Sequence, residues 1–457
     1  MSLLLQVMDR LCKWLGILLL AAPLWWLLLA RIDVPLSAEA SAWRDVAPSR
    51  ISPGDNGYFA IIGFYVEDAS ADINRAGQRM FTRYLERVRS DPTLPEYTYE
   101  RERRVTGKPS DLCSPLEASC LRAALLRQQD LEQEVERNAV LLRRYHSLYR
   151  YAHYREIEPA APSRPVAGPP LQVHNLVLAM IALEAAQGKL RAASSDLARD
   201  SDFWRMVLRD DGRLVGKSAA TRALLENLHL LSDMIAATGN SEAEDEAIAH
   251  TLRPLDAQEL DLGSAMSFEC HSFAAEGGAS FYSGLEEGLA KHPPIIRGVA
   301  RWLVEPAFRP HHTANLFQQQ CDKLERWART HWNGEPPVGG EWRYFGQEAW
   351  DFIYNPLGKL TVYDIAAGPT TFARYRSRVS DLDGFIRLVT LQWTIKRKGI
   401  GPEDVSFLVQ QADSHLEDPY TGMPMNWDPQ RGVLWFERHA TNRGDRLEVP
   451  ILSSQSP

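Results

Sequence analysis

Between Lys13 and Arg31 the chain reads WLGILLLAAPLWWLLLA, an uncharged run from Trp14 to Ala30. A helix that spans a bilayer takes roughly 17 to 25 apolar residues, and snorkelling of Lys13 and Arg31 extends the usable length through Leu11 and Cys12. Trp14, Trp25 and Trp26 suit interfacial depth, and Pro23 is tolerated where the freed carbonyl finds another donor. The expectation is one transmembrane anchor over residues 11–30. The alternative is a cleaved signal peptide, because AEASA at Ala38 to Ala42 offers Ala-x-Ala sites. Those sites lie beyond Arg31, whereas signal cleavage follows closely on the apolar region. Arg10 and Lys13 nearly balance Arg31 and Arg44 across the span, so orientation is read from the ten-residue lead and the long body that follows. The expected topology is a cytoplasmic lead at residues 1–10, a signal-anchor in a bacterial inner membrane, and residues 31–457 in the periplasm.

That compartment gives the cysteines their meaning. In DLCSPLEASC, Cys113 stands seven residues before Cys120. Seven helical residues would part the Cα atoms by about 10 Å, too far for a bridge, but Pro115 breaks any helix there. In an oxidising compartment the pair reads as a disulfide that closes a short loop, an entropic constraint of roughly 2.5 kcal/mol. A zinc site wants four ligands, and a thioredoxin-like role wants Cys-x-x-Cys. Cys270 and Cys321 form a second pair by even-number arithmetic, with two separate buried thiols as the alternative.

The whole chain of 457 residues carries a net charge of -8, which argues against a nucleic-acid ligand, since that calls for a basic surface. Five cysteines are too few to replace a core built by 13 Trp, 15 Tyr and 15 Phe. The expected fold class is mainly α: a multi-helix body with a small β element made of Tyr58 to Glu67 and a C-terminal hairpin.

Residues 31–57, rich in Pro and Gly, read as a tether. Residues 58–158 form an α/β segment: YFAIIGFYVE is aromatic and β-branched enough for a buried strand, although Gly63 interrupts it. Asp72 to Arg89 is helical in spacing. Leu116 to Ile157 reads as one long helix, because Leu131, Val135, Asn138, Leu142, Tyr145, Tyr149 and Ala152 recur at steps of 4 and 3. Within it RRYHSLYRYAHYRE is read as a solvated face with tyrosine rings turned inward. Residues 159–170, PAAPSRPVAGPP, are a stiff linker. A helical domain over 171–340 opens with helices at Leu171 to Gln187, Leu190 to Leu208 and Ser218 to Ala237. Its rhythm is reminiscent of tetratricopeptide arrays, without an internal period. In residues 341–457 a helix from Phe372 to Lys398 precedes a short helix at Pro402 to Ala412. A hairpin of Met423 to Trp427 and Val433 to Arg438 follows, and it is expected to pair with Tyr58 to Glu67.

The segments NGYFAIIGF, LLRRYHSLYRYAHYRE after the cysteine pair, LLENLHLLSDMI, YNPLGK and DPYTGMPMNW together resemble a family of uncharacterised, N-terminally anchored proteobacterial inner-membrane proteins. The resemblance implies an anchored envelope protein and no particular activity. The last 90 or so residues also look like a pseudopilin tail, although the pseudopilin processing site is missing.

No nucleophile elbow, metalloprotease helix, phosphate loop or dinucleotide fingerprint occurs in the sequence. Glu269, His271, His311 and His312, with Cys321, are metal-capable or acid-base types near a loop, but two of the four spacings fit no known metal motif and Glu-x-His alone is frequent by chance. Asp418 and Asp428 are carboxylates of the kind that bind calcium; each also begins an Asp-Pro turn, which explains it without a ligand. The expectation is therefore a non-enzymatic interaction or scaffold component of the cell envelope, with an envelope protein as partner and no cofactor, metal or nucleic acid. The alternative is a periplasmic hydrolase with a site around Glu269, His271 and His311.

Overall fold

The computed structural model describes residues 31–44, 51–90, 104–107, 112–113, 119–155, 170–237, 245–329, 346, 348–366, 369–440 and 445–451. The chain is 68% helix, with sixteen α-helices and a three-stranded sheet among the described residues. In chain order they are α1 (Ala38–Arg44), α2 (Gly57–Ile62), α3 (Ile73–Ser90), α4 (Cys120–Leu126), α5 (Gln128–Arg137) and α6 (Ala139–Leu148). Next come α7 (Leu171–Ala186), α8 (Leu190–Asp210), α9 (Leu214–Ala237), α10 (Asp245–Thr251) and α11 (Gly263–Leu289). The last are α12 (Pro294–Val304), α13 (Pro310–Arg329), α14 (Pro356–Ala366), α15 (Pro369–Lys398) and α16 (Pro402–Gln410), followed by β1 (Asn426–Asp428), β2 (Val433–Glu437) and β3 (Arg446–Pro450). No described helix is long and apolar enough to cross a membrane, and the Trp14 to Ala30 run lies outside the described residues. The proline-rich stretch 159–169 also lies outside them.

Two compact units divide the chain, and neither is continuous in sequence. The larger takes its residues from Pro48–Glu269, Arg326–Pro336 and Thr370–Pro457; the smaller takes them from Met1–Ala47, Cys270–Glu325 and Pro337–Pro369.

At the centre of the larger unit is α7, LQVHNLVLAMIALEAA. It is apolar nearly all round, and a helix of that kind must be enclosed by others. It packs against α4, α5, α6, α8 and α9, and it buries Val173, Leu176, Leu178 and Ile181. From α8, Trp204 fills the space beside it with no exposure. In α15 the central turns bury Leu382, Phe385, Leu388 and Val389, and Gln392 Nε2 donates to the Ser232 carbonyl of α9 and the Pro450 carbonyl of β3.

Of the segment expected as a strand, Tyr58 to Ile62 is helix and Gly63 to Glu67 turns away from it. Gly57 to Ile62 are all buried in α2, and Asn56 Oδ1 accepts the Tyr58 N–H as its cap. A short apolar run enclosed on every side has no visible period, so aromatic and β-branched content alone misled the reading. Gly63, which ends α2, has the physical role here. A Cβ on it would stand 2.0 Å from the Ile73 carbonyl oxygen, and a Cβ on Gly77 would stand 1.8 Å from that of Phe59. The two glycines let α2 and α3 cross backbone on backbone.

The long helix expected from Leu116 to Ile157 is three helices, broken at Arg127 and Asn138 and ending at Leu148. Asn138 sits on the expected seam, but its amide bonds the Thr106 N–H and C=O, 2.9 and 3.0 Å away. Of the face read as solvated, Arg143, His146 and Arg150 are exposed while Tyr145, Tyr151 and Tyr154 are buried. Arg144 is the exception. It is buried, and its guanidinium donates to the carbonyls of Phe64 and Val66 at 2.8 Å and to that of Asp68, closing the turn after α2.

The hairpin stands where it was expected: β1 and β2 are antiparallel, with Asp428 opposite Val433. Gly432, at φ 64°, closes the turn, and its N–H donates to the Asp428 carbonyl. The partner of the hairpin is β3, antiparallel to β2, and not Tyr58 to Glu67. Leu434 and Phe436 alternate inward with Leu447 and Val449, while Arg446 lies over the outward Trp435 ring at 3.7 Å.

In the smaller unit the Cys270–Cys321 disulfide ties α11 to α13. Residues 31–37, expected as loose tether, are pinned: the Asp33 carboxylate accepts the His311 and His312 N–H groups, and Asn315 bonds the Ser37 N–H and the Pro35 carbonyl. Asn355, at φ 53° and fully buried, gathers the Arg309 N–H, the Thr313 hydroxyl and the His312 ring around its amide.

Candidate functional site

The densest chemistry in the larger unit lies where α6, α7, α8 and α9 meet. Asp200 on α8 is fully buried. Its Oδ1 accepts the Tyr145 hydroxyl at 2.7 Å and the Tyr149 hydroxyl at 3.0 Å, and its Oδ2 accepts Asn227 Nδ2 at 2.8 Å. Trp204 Nε1 donates to the Tyr145 oxygen at 2.9 Å. His174 Nδ1 stands 3.0 Å from that oxygen and 3.3 Å from Asp200 Oδ2. His174 also meets Trp204 Nε1 at 3.3 Å on the same ring nitrogen. Its Nε2 faces Glu226 Oε2 at 3.5 Å, and Arg222 at the surface binds Glu226 Oε1 at 2.9 Å.

The electrostatics are consistent with that arrangement. Burial works against the Asp200 carboxylate, but the His174 ring beside it and the hydrogen bonds from His174, Asn227 and Tyr145 outweigh burial and hold the carboxyl below its ordinary value. Burial and the Asp200 charge push the Tyr145 and Tyr149 hydroxyls well above theirs, so both remain donors. Asp200, His174 and Tyr145 have no solvent exposure. The arrangement ties four helices to one another.

A second constellation joins α15 to the hairpin. Buried Asp381 accepts the Tyr420 hydroxyl at 2.5 Å and the His439 and Ala440 N–H groups at 3.0 and 3.2 Å. The Tyr420 ring stacks on the exposed His439 ring at 3.9 Å. Burial raises the Asp381 carboxyl. Nearby, His229 packs on Phe385 with ring centroids 4.3 Å apart, and burial, with the Arg438 charge, pushes it down to about 4. A histidine depressed in the folded state lends stability that is complete above its unfolded value of about 6.5 and is lost as pH falls toward 4. His229 alone should account for at most roughly 3 kcal/mol over that window. His229→Phe is expected to flatten this part of the stability profile, measured by urea titration at several pH values.

The residues singled out from sequence have other duties. Glu269 Oε1 accepts the Leu214 N–H at 3.0 Å at the start of α9. His271 is half-exposed on α11. In the smaller unit His311 and His312 begin α13, where the His312 Nδ1 accepts from Asn355 at 2.8 Å, and Cys321 is bonded to Cys270. Among the described residues no group of three or more His, Cys, Asp or Glu is placed to hold a metal ion. Asp418 caps the Tyr420 N–H, and Asp428 caps the N–H groups of Gln430 and Arg431, as turn-formers do.

Sequence reasoning missed His174, Asp200, Trp204, Glu226 and Asn227. The available signal was polar residues on otherwise apolar helices, as in LQVHNLVLAM and RALLENLHLL. No protein-family model, no curated protein and no solved structure matches the chain.

Proposed function

We propose that this is a single-pass, signal-anchored protein of a bacterial inner membrane, with its body in the periplasm, acting as a non-enzymatic interaction component of the envelope. The observation that carries the reading is the cysteine arrangement. Cys113 is bonded to Cys120 and Cys270 to Cys321, both after the apolar run, while Cys12 precedes it. Cytosolic thiols are held reduced, so two structural bridges favour export of everything beyond Arg31. The buried networks support the non-enzymatic part, because their acids, bases and hydroxyls bind one another and brace helices. The partner is expected to be an envelope protein that meets the helical surface.

Alkaline phosphatase fused after Pro457 should be active, and a reporter that fluoresces only in the cytosol should stay dark. Mass spectrometry of unreduced peptides should recover both bridged pairs from the native protein. The reverse reporter pattern, or four alkylatable thiols, would refute the compartment.

A further inference from the structure

We infer that the exposed apolar face of α12, together with the exposed Trp350, rests on the lipid bilayer surface where the chain emerges from the membrane. The inference depends on the anchored reading above.

α12 has the sequence PIIRGVARWLV. At about 100° per residue, Trp302, Ile295, Val299 and Ile296 fall within a sector of roughly 120°, and Arg297 and Arg301 fall opposite. In a soluble fold such a stripe faces the core. Here it faces out: Ile295 is 81% exposed, Val299 55% and Trp302 42%. The pattern of bulky apolar residues and Trp on one side and arginine on the other is that of a helix lying in a membrane interface.

What covers this face follows from where the chain goes. Arg31 directly follows the uncharged run that ends at Ala30. Its guanidinium donates to the Trp302 carbonyl at 2.6 Å and lies 4.3 Å from the centre of the Trp302 ring. The next residue, Ile32, is 65% exposed, and its carbonyl accepts the Tyr354 hydroxyl at 2.9 Å. Tyr354 is stacked with Trp350, which is 58% exposed. Two tryptophans and the apolar stripe are thus fastened to the residues that must stand at the membrane boundary if the run spans. Trp and Arg concentrate at that depth, where an amphipathic ring keeps its apolar body in lipid and its polar edge in water.

The test uses the full-length protein in nanodiscs of phosphatidylethanolamine and phosphatidylglycerol, with a benzophenone side chain replacing one residue at a time. Photolysis is followed by mass spectrometry. Lipid adducts at positions 295 and 299 should exceed those at position 297, on the opposite side of α12, by on the order of tenfold. A probe at Leu20, within the run, reports the anchor separately. Lipid adducts at position 20 with none at 295 and 299 would overturn this inference and leave the anchor standing; none at position 20 would overturn the anchored reading itself. Crosslinks from 295 and 299 to a second copy of the chain would show a protein interface instead and also overturn it.

Discussion

Asp200→Leu is expected to destabilise the larger unit by about 4 kcal/mol, read as a lower urea midpoint by circular dichroism. Leucine has the branching of aspartate but bulkier ends, so some crowding at this fully buried site adds to the lost polar contacts. The hydroxyls of Tyr145 and Tyr149, the Asn227 amide and the His174 ring would all face methyl groups. A buried donor left without an acceptor costs about 1 to 3 kcal/mol, and the four share one acceptor group, so the losses are coupled and do not simply add. Asp200→Asn should fall between, because its carbonyl still accepts from the tyrosines while its amide meets the Asn227 amide. Because the folded state holds the Asp200 carboxyl below its ordinary value, its contribution is complete above about pH 4 and disappears on further acidification. The gap between wild type and Asp200→Leu should therefore narrow in strong acid, toward that of the neutral Asp200→Asn. A loss under about 1 kcal/mol at neutral pH would show that the network does not hold the helices.

Gly77→Ala should cost about 3 kcal/mol or more, although alanine is the better helix former by about 1 kcal/mol. The reason is contact with backbone. The new Cβ would lie 1.8 Å from the Phe59 carbonyl oxygen and 2.9 Å from the Gly63 nitrogen, and neither can turn aside as a side-chain tip would. α2 and α3 would have to separate, opening the cluster of Tyr58, Phe59 and Phe81, whose ring centroids lie 5.7 to 6.0 Å apart. Gly284 in α11 supplies the contrast, because a Cβ there meets nothing within 4 Å. Gly284→Ala should leave stability unchanged or raise it by up to about 1 kcal/mol. Equal effects at the two glycines would show that α2 and α3 do not cross as closely as described.

The chain by itself determined the features that rest on local pattern. Helices α7, α8 and α9 begin and end close to the spans read from their composition and glycine stops, as α15 does from its 3-and-4 spacing, and the Asp428 to Gly432 turn placed the hairpin. Pro115 between Cys113 and Cys120 pointed to their bridge. What depended on distant partners was not legible. YFAIIGFYVE has the composition of a strand, yet its first half is a helix and the rest a turn, because α3 packs against it and Gly63 meets Gly77, fourteen positions away. Asn138 continues the heptad-like seam on paper, but Thr106 captures its amide and the helix breaks. In RLEVP, β3 alternates too briefly to announce a strand, and only pairing with β2 makes it one. The buried network is the extreme case. His174, Asp200 and Asn227 stand on three helices, so no spacing links them. Their polarity becomes meaningful only when packing removes water and leaves them to pair with one another and with the neighbouring tyrosines.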